Sequence, residues 1–226
     1  MPVSRADAKM DMNAKLLSGV GAARLSAAFT LLELVVVISV ITILMALSFP
    51  AFRGVQDQAK NAEAKNDLIQ IVNAVNAYYT EYGKYPLSDE AADATVDGRN
   101  ANTNDTLFNK LRGQGLDLTA NPKDIAFISL PAAKDPSRPR SGIGTVAPTT
   151  GQFFDPWGTP YVIRLDTTFN DLVEPNPYKA NAGDPHGVSG GAIAWSFGKD
   201  AKSESVPTPA NDKKTGTNWD DIISWQ

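Results

Sequence analysis

The chain has 226 residues, with 21 basic and 25 acidic side chains, one histidine and no cysteine. Without cysteine there is neither a disulfide framework nor a cysteine zinc cluster, and a mildly acidic chain without basic clusters offers no footprint for nucleic acid. His186 sits among turn residues in Gly183-Asp184-Pro185-His186-Gly187. With no nucleophile–base pair, Gly-rich phosphate loop or His-based metal motif, an enzyme has no residues to stand on.

Residues 1–28 mix Ala, Ser, Gly and Met with charged residues and read as a leader outside the fold. Arg5, Lys9, Lys15 and Arg24 against Asp7 and Asp11 give the leader a net charge of +2, whereas the chain after Pro50 carries 17 basic and 22 acidic residues, a net of −5. By the positive-inside rule the leader stays cytoplasmic and the C-terminal domain crosses.

From Phe29 to Phe49 run 21 residues of which only Glu33 is charged. As an α-helix that length spans roughly 30 Å, the thickness of a bilayer's hydrocarbon core, and a single span in lipid must be helical because every backbone polar group needs an internal partner. A secretory signal is the rival, with Ala46-Leu47-Ser48 as its cut site, but such signals have apolar cores of only about 7–15 residues. Glu33 is costly in hydrocarbon and marks a functional position. Its alternative is a place near the membrane surface, one turn into the helix, where the positive end of the macrodipole tolerates it.

Pro50 removes a backbone hydrogen bond and should kink or loosen the helix near residues 46–50. Beyond it Val55, Ala59, Ala62, Leu68, Ile71, Val72, Val75 and Tyr79 recur at three- and four-residue spacing, predicting an amphipathic helix over 51–82 that buries this face against a domain. Glu63 and Asp67 are assigned to solvent. Gly83 suits the left-handed cap and Pro86 prevents resumption, while the tyrosines of 78–85 read as core. Residues 87–124 are polar, with a short helix predicted at Asp105–Leu111 ended by Gly113. Asn104-Asp105-Thr106 fits a glycosylation triplet that carries no weight alone.

Strands are predicted at Ile125–Leu130, Tyr161–Leu165 and Ala192–Phe197, with an exposed loop at 131–150 and a tight turn at Asp155-Pro156-Trp157-Gly158. The order of long helix, irregular segment and small antiparallel sheet is an α+β domain. The domains are therefore a leader at 1–28, a transmembrane segment at 29–50, and a globular domain at 51–226 that includes the amphipathic helix.

Ala28-Phe29-Thr30-Leu31-Leu32-Glu33, the apolar run and Pro50 together resemble the signature of type IV pilins and pseudopilins. The resemblance implies a pilin-like fold and a prepilin peptidase that cuts between Ala28 and Phe29, where the family usually has Gly before the cut, and methylates the new amine. Glu33 would be the assembly residue, pairing with that amine on a neighbouring subunit. Tyr78-x-x-x-x-Gly83-x-Tyr85-Pro86 and Asp155-Pro156-Trp157-Gly158 resemble the major pseudopilin of type II secretion, and the missing disulfide leans the same way. That family encloses calcium between two C-terminal segments resembled here by Ser196–Asp200 and Asn218–Trp225. Asp200, Asp220 and Asp221 with loop carbonyls have the hard-oxygen chemistry calcium requires. Against it, the intervening stretch carries Lys213-Lys214, and these acids could instead cap a turn, with Asp220-Asp221 opening a last helical turn.

The resemblance thus implies a structural subunit, not an enzyme. Its partners would be copies of itself, other pseudopilins, the peptidase and an inner-membrane secretion platform, and its place the inner membrane with a periplasmic domain. A type IV pilus subunit for adhesion, motility or DNA uptake is the alternative, and a membrane-anchored ligand-binding protein the second.

Overall fold

The computed structural model describes residues 29–87, 93–97, 103–178, 182–184, 186–202, 213 and 216–226. The expected leader, with Ala28, lies outside them, as do Lys214 and much of the stretch between Asp200 and Asp220. The chain divides into two units, Met1–Pro50 and Ala51–Gln226.

Helix α1 runs from Leu31 to Tyr82. Helical backbone continues through Pro50, so the proline, although it removes a donor, does not end the helix. Gly83 does: its N–H reaches the Tyr79 carbonyl at 2.7 Å and its φ of +66° is a conformation that side chains with a Cβ resist.

Within the second unit α1 buries one stripe: Ala64, Leu68, Ile71, Ala74, Val75 and Tyr78, the i, i+3, i+4 spacing of a single helix face. This corrects the predicted register. Val55, Ala59 and Ala62 are exposed, because the domain's cover begins only at Ala64, and Tyr78 rather than Tyr79 enters the core. Helix α2, Asp105–Arg112, falls where it was predicted. Its Leu107, Phe108 and Leu111 are fully buried against the same stripe.

Four antiparallel strands form the main sheet in the order β1 (Ala94–Asp97), β4 (Val162–Leu165), β7 (Ala192–Ser196), β8 (Ile222–Ile223). Ile163 pairs with Val96 on one side and Ala194 on the other, and Trp195 pairs with Ile223. Because successive side chains face opposite ways, Ile163, Leu165, Ala192 and Ala194 join the helix-side core. Val162, Ile193, Trp195 and Ile223 form a second core with Val173, Tyr178 and Phe197. The hairpin of β5 (Leu172–Val173) with β6 (Val188–Ser189) accompanies that second face. Both faces of the sheet are therefore covered, which is why β4 and β7 lack polar alternation.

Ile125–Leu130 is not a strand. Its Phe127 and Ile128 amides donate to the Leu111 carbonyl at 2.8 and 3.3 Å, closing the end of α2 instead of joining a sheet. The predicted loop 131–150 is partly ordered by β2 (Gly142–Ile143), which pairs with β3 (Phe153–Phe154). Two buried asparagines tie these irregular pieces. Asn104 donates to the Phe153 and Tyr161 carbonyls and accepts from the Phe153 amide, which turns its side chain inward. Asn121 donates to the Lys110 and Ile125 carbonyls and accepts from Tyr82 Oη at 2.5 Å.

Asp67 is likewise not a purely solvated acid. Tyr161 Oη donates to its Oδ2 at 2.8 Å, and burial, with Glu63 and Asp155 as further negative neighbours, pushes its pKa up to about 6. A carboxylate whose pKa is higher folded than unfolded contributes most below its unfolded value near 3.8, and that contribution is lost as pH rises through about 6. Asp67→Asn, neutral and still able to accept from Tyr161, should therefore gain stability relative to the parent as pH rises from 4 to 7. The gain should be on the order of 1 kcal/mol, given the side chain's partial exposure. Melting temperatures of the two proteins across that range check this, and a constant difference would contradict it.

Candidate functional site

At the helix start, Thr30 and Glu33 form a reciprocal cap. The Thr30 amide and hydroxyl both donate to Glu33 Oε2 at 2.9 Å, and the Glu33 amide donates to Thr30 Oγ1 at 3.2 Å. This is the capping box that Ser or Thr makes with Glu three residues later. It fixes the carboxylate one turn inside the helix and engages only one of its oxygens. Thr30 was not recognised as Glu33's partner in the sequence, although the Thr-x-x-Glu spacing carries that signal.

Leu31–Ser48 has a mean hydropathy of 2.6 and is the one helix segment among the described residues long and apolar enough to cross a membrane. Every residue from Phe29 to Ser48 is exposed. Its hydroxyls are satisfied by the helix's own backbone: Ser39, Thr42 and Ser48 donate to the carbonyls of Val36, Ile38 and Leu44 at 2.7 to 2.8 Å, which lowers their cost in an apolar medium.

After Pro50, α1 shows a second apolar stripe. Phe52 and Val55 are each 63% exposed and Ile69 is 43% exposed. With Ala59 and Ala62, also exposed, they recur at three- and four-residue steps up to Ala62, and Ile69 follows two turns later. At 100° per residue this stripe lies on the side opposite Leu68, Ile71 and Val75. The domain covers one face of α1 and leaves another apolar face in water.

Asp155 is built into the fold. Its Oδ1 accepts the amides of Trp157, Gly158 and Thr159 at 2.8 to 3.0 Å, and its Oδ2 accepts the Ser196 hydroxyl at 2.6 Å. Burial pushes its pKa up while these four donors pull it down. Fully buried and with both oxygens engaged, it holds the Asp-Pro-Trp-Gly turn against β7. His186 is an exposed loop residue whose Nδ1 lies 2.9 Å from Asp184 Oδ1.

The structure brings the two C-terminal segments together. Asp220 Oδ2 accepts the Asp200 amide at 2.9 Å, and Gly198, at φ +61°, packs so closely on the Asp220 carbonyl that a Cβ would collide with it. Asp221 leads into β8 rather than a helical turn. Tyr178 Oη donates to Asp221 Oδ2 at 2.6 Å, and burial, with Asp220 and Asp200 adding negative charge, pushes its pKa up to about 7. Three buried oxygens there have no hydrogen-bond partner: Thr217 Oγ1, Asp220 Oδ1 and Asp221 Oδ1. Such a set suits a hard cation. Among the described residues, however, no three acidic or histidine side chains form a metal-holding group, so hydroxyl and main-chain oxygens would have to complete it.

Two lysines missed as functional residues also work here. Lys213 Nζ donates to the Asn218 and Trp219 carbonyls at 3.2 and 3.3 Å. On α1, Lys65 Nζ donates to the carbonyls of Ile223, at 2.7 Å, Ser224 and Gln226, binding the last strand to the helix.

Comparison with known proteins points the same way as the helix. The type II secretion system core protein G of Aeromonas hydrophila is 34% identical over 73 residues, 32% of this chain and 51% of that protein. The core protein G of Pseudomonas aeruginosa is 33% identical over 87 residues, 38% and 61% of the two chains. The fimbrial protein EcpC of Eikenella corrodens is 38% identical over 77 residues, 33% and 50%. The chain thus spans about half the length of the curated relatives it matches. No protein-family model matches it, and no solved structure does. Over about a third of its length the chain is similar to the core proteins G of type II secretion and to a fimbrial protein, a likeness that supports the type IV pilin superfamily.

Proposed function

We propose that this chain is a structural subunit of a type II secretion pseudopilus. It is inserted in the inner membrane by residues 29–50 with its domain in the periplasm. A prepilin peptidase cuts between Ala28 and Phe29 and methylates the new amine, and the subunit then polymerises through the helix of residues 29–82. Growth of that filament on its membrane platform, with other pseudopilins, would drive protein export. The observation that carries this reading is the two-faced α1, whose outward stripe of Phe52, Val55, Ala59, Ala62 and Ile69 is left for another molecule. A helix with apolar residues on opposite faces and a domain on one of them is suited to packing among other helices.

In the filament Glu33 pairs with the Phe29 amine of a neighbour. Two charges that are each costly in an apolar medium neutralise one another there, and the cap from Thr30 pre-sets the carboxylate. A type IV pilus subunit is the second reading, favoured by the likeness to the fimbrial protein. In a cell that carries the assembly machinery, Glu33→Leu should reduce polymer to background while leaving the chain in the membrane. Normal assembly of that variant would contradict the pairing. Polymer confined to the periplasm marks a pseudopilus, and polymer on the cell surface a pilus.

For the C-terminal loop the corresponding proposal is a calcium ion held by Asp220, Asp221 and the Thr217 hydroxyl, with Asp200 beside them. When bound, the ion supplies positive charge that closes the loop on β7 and β8, and the Asn218 and Trp219 carbonyls become its ligands only if Lys213 gives them up. Millimolar calcium should then raise the melting temperature by several degrees, as expected for a ligand at about 100 times its Kd. Asp220→Asn with Asp221→Asn should abolish the increment. Equal melting temperatures in calcium and in chelator would exclude the ion.

A further inference from the structure

The four cations Lys60, Lys134, Arg138 and Arg140 line one cleft of about 690 Å³ with Glu63 and Asp135. Among the described residues none of the four forms a salt bridge, and the Asp135 carboxylate accepts its own loop's Ser137 amide at 2.9 Å. Such a positive patch is unusual in a domain whose net charge is −5. The loop that carries it is held at both ends. The Ile143 amide donates to the Pro131 carbonyl at 2.8 Å and the Ser141 amide to the Asp155 carbonyl at 3.0 Å. Arg140's aliphatic stem packs on the Gly158 turn. The loop backbone and the stem of Arg140 are therefore held in place.

Farther along α1 the charge reverses. Residues 166–174 contain Asp166, Asp171 and Glu174 and no basic residue. Buried Asp166 accepts the amides of Asn170 at 3.2 Å and Asp171 at 2.8 Å. It thereby holds a loop in which Phe169 and Asp171 both take φ of +60°, a strained angle for such residues. Phe169 stacks on Tyr85 with ring centres 5.5 Å apart, which places the loop beside the C-terminal end of α1. Asp171 and Glu174 point into solvent and, among the described residues, form no salt bridge. From Lys60–Glu63 to Tyr79–Tyr85 the distance along the helix is roughly 25–30 Å. The cleft is positive and the Asp171–Glu174 loop negative, and among the described residues neither is neutralised by a salt bridge.

We propose that the basic cleft is a socket for the acidic Asp171–Glu174 end of a second copy of this chain. The contact is head-to-tail and so propagates rather than closing on itself. Subunits of net −5 repel one another when packed. A positive site on each that accepts the negative end of the next offsets that repulsion and fixes the register between domains. This inference rests on the filament reading and adds the domain–domain contact to it.

The test uses the full chain in cells that assemble it, with sedimented filament measured against total protein. The variants are Arg138→Glu with Arg140→Glu, Asp171→Arg with Glu174→Arg, and all four together. All four positions are exposed, and melting temperatures check that each variant folds. Each reversed pair should lower the filament yield by about tenfold or more, because like charges then face each other. The fourfold variant, with complementarity restored, should recover most of it. Two reversed pairs that both assemble normally would overturn the proposal while leaving the filament reading intact. Loss from the cleft pair alone, without rescue, would assign the cleft to a different acidic partner or an anionic membrane surface and overturn it too. A parent chain that yields no Glu33-dependent polymer would instead remove the filament reading, and this contact with it.

Discussion

The constraint on which this structure depends is the mismatch between α1 and the domain that covers it. A helix in hydrocarbon satisfies its own backbone and needs only apolar side chains, so the span up to Ser48 can stand uncovered in lipid. A helix in water needs its apolar face buried. The domain supplies that burial from Ala64 to Tyr78 on one face alone. Between Phe52 and Ala62 the helix keeps apolar residues that nothing in the second unit covers. For a monomer this is a liability, whereas for a subunit it is an unfinished interface.

The rest of the fold secures the covered face. Leu68, Ile71 and Tyr78 are matched by α2 and by the inner side of the sheet, and the outer side has its own core under the β5–β6 hairpin. Charged and amide groups make the long-range ties. Lys65 holds the last strand to α1, Asp155 joins its turn to β7, and Asn104 links α2 to β3 and to Tyr161, just before β4. Each satisfies buried backbone groups that short strands leave open. An unmade hydrogen bond in such a place costs about 1–3 kcal/mol. The C-terminal loop departs from this pattern, because Thr217, Asp220 and Asp221 each keep an unpaired buried oxygen.

Much of this was legible in the sequence where the signal is local. The apolar run from Phe29, the end of α1 at Gly83, α2 with its three buried residues and the Asp-Pro-Trp-Gly turn all follow from spacing and turn chemistry. What was not legible depends on partners distant in the chain. Ile125–Leu130 has the composition of a strand, but its amides meet the Leu111 carbonyl, and no pattern in six residues reveals that. The strands β2, β3, β5, β6 and β8 have two residues each, too short for any periodicity. The outward stripe was legible as apolar spacing but was assigned to the wrong side. Val55, Ala59 and Ala62 fit a helical repeat as well as Leu68 and Ile71 do, and only the position of the domain distinguishes the two faces. Asp67 looked solvated because Tyr161, 94 residues away, cannot be seen from its neighbours.

The central claim is that the outward face of α1 meets other copies of the chain. Because the chain has no cysteine, single cysteines at Val55 or Ala62 on that face, and at Asn66 as a neighbouring position, report contacts between copies without background. The most direct measurement is oxidative cross-linking of these variants in the native membrane, read as dimers on a non-reducing gel. The account predicts dimers from Val55→Cys and Ala62→Cys that disappear when Glu33→Leu is added. Monomer alone from both positions, in cells where the protein is assembled, would contradict it.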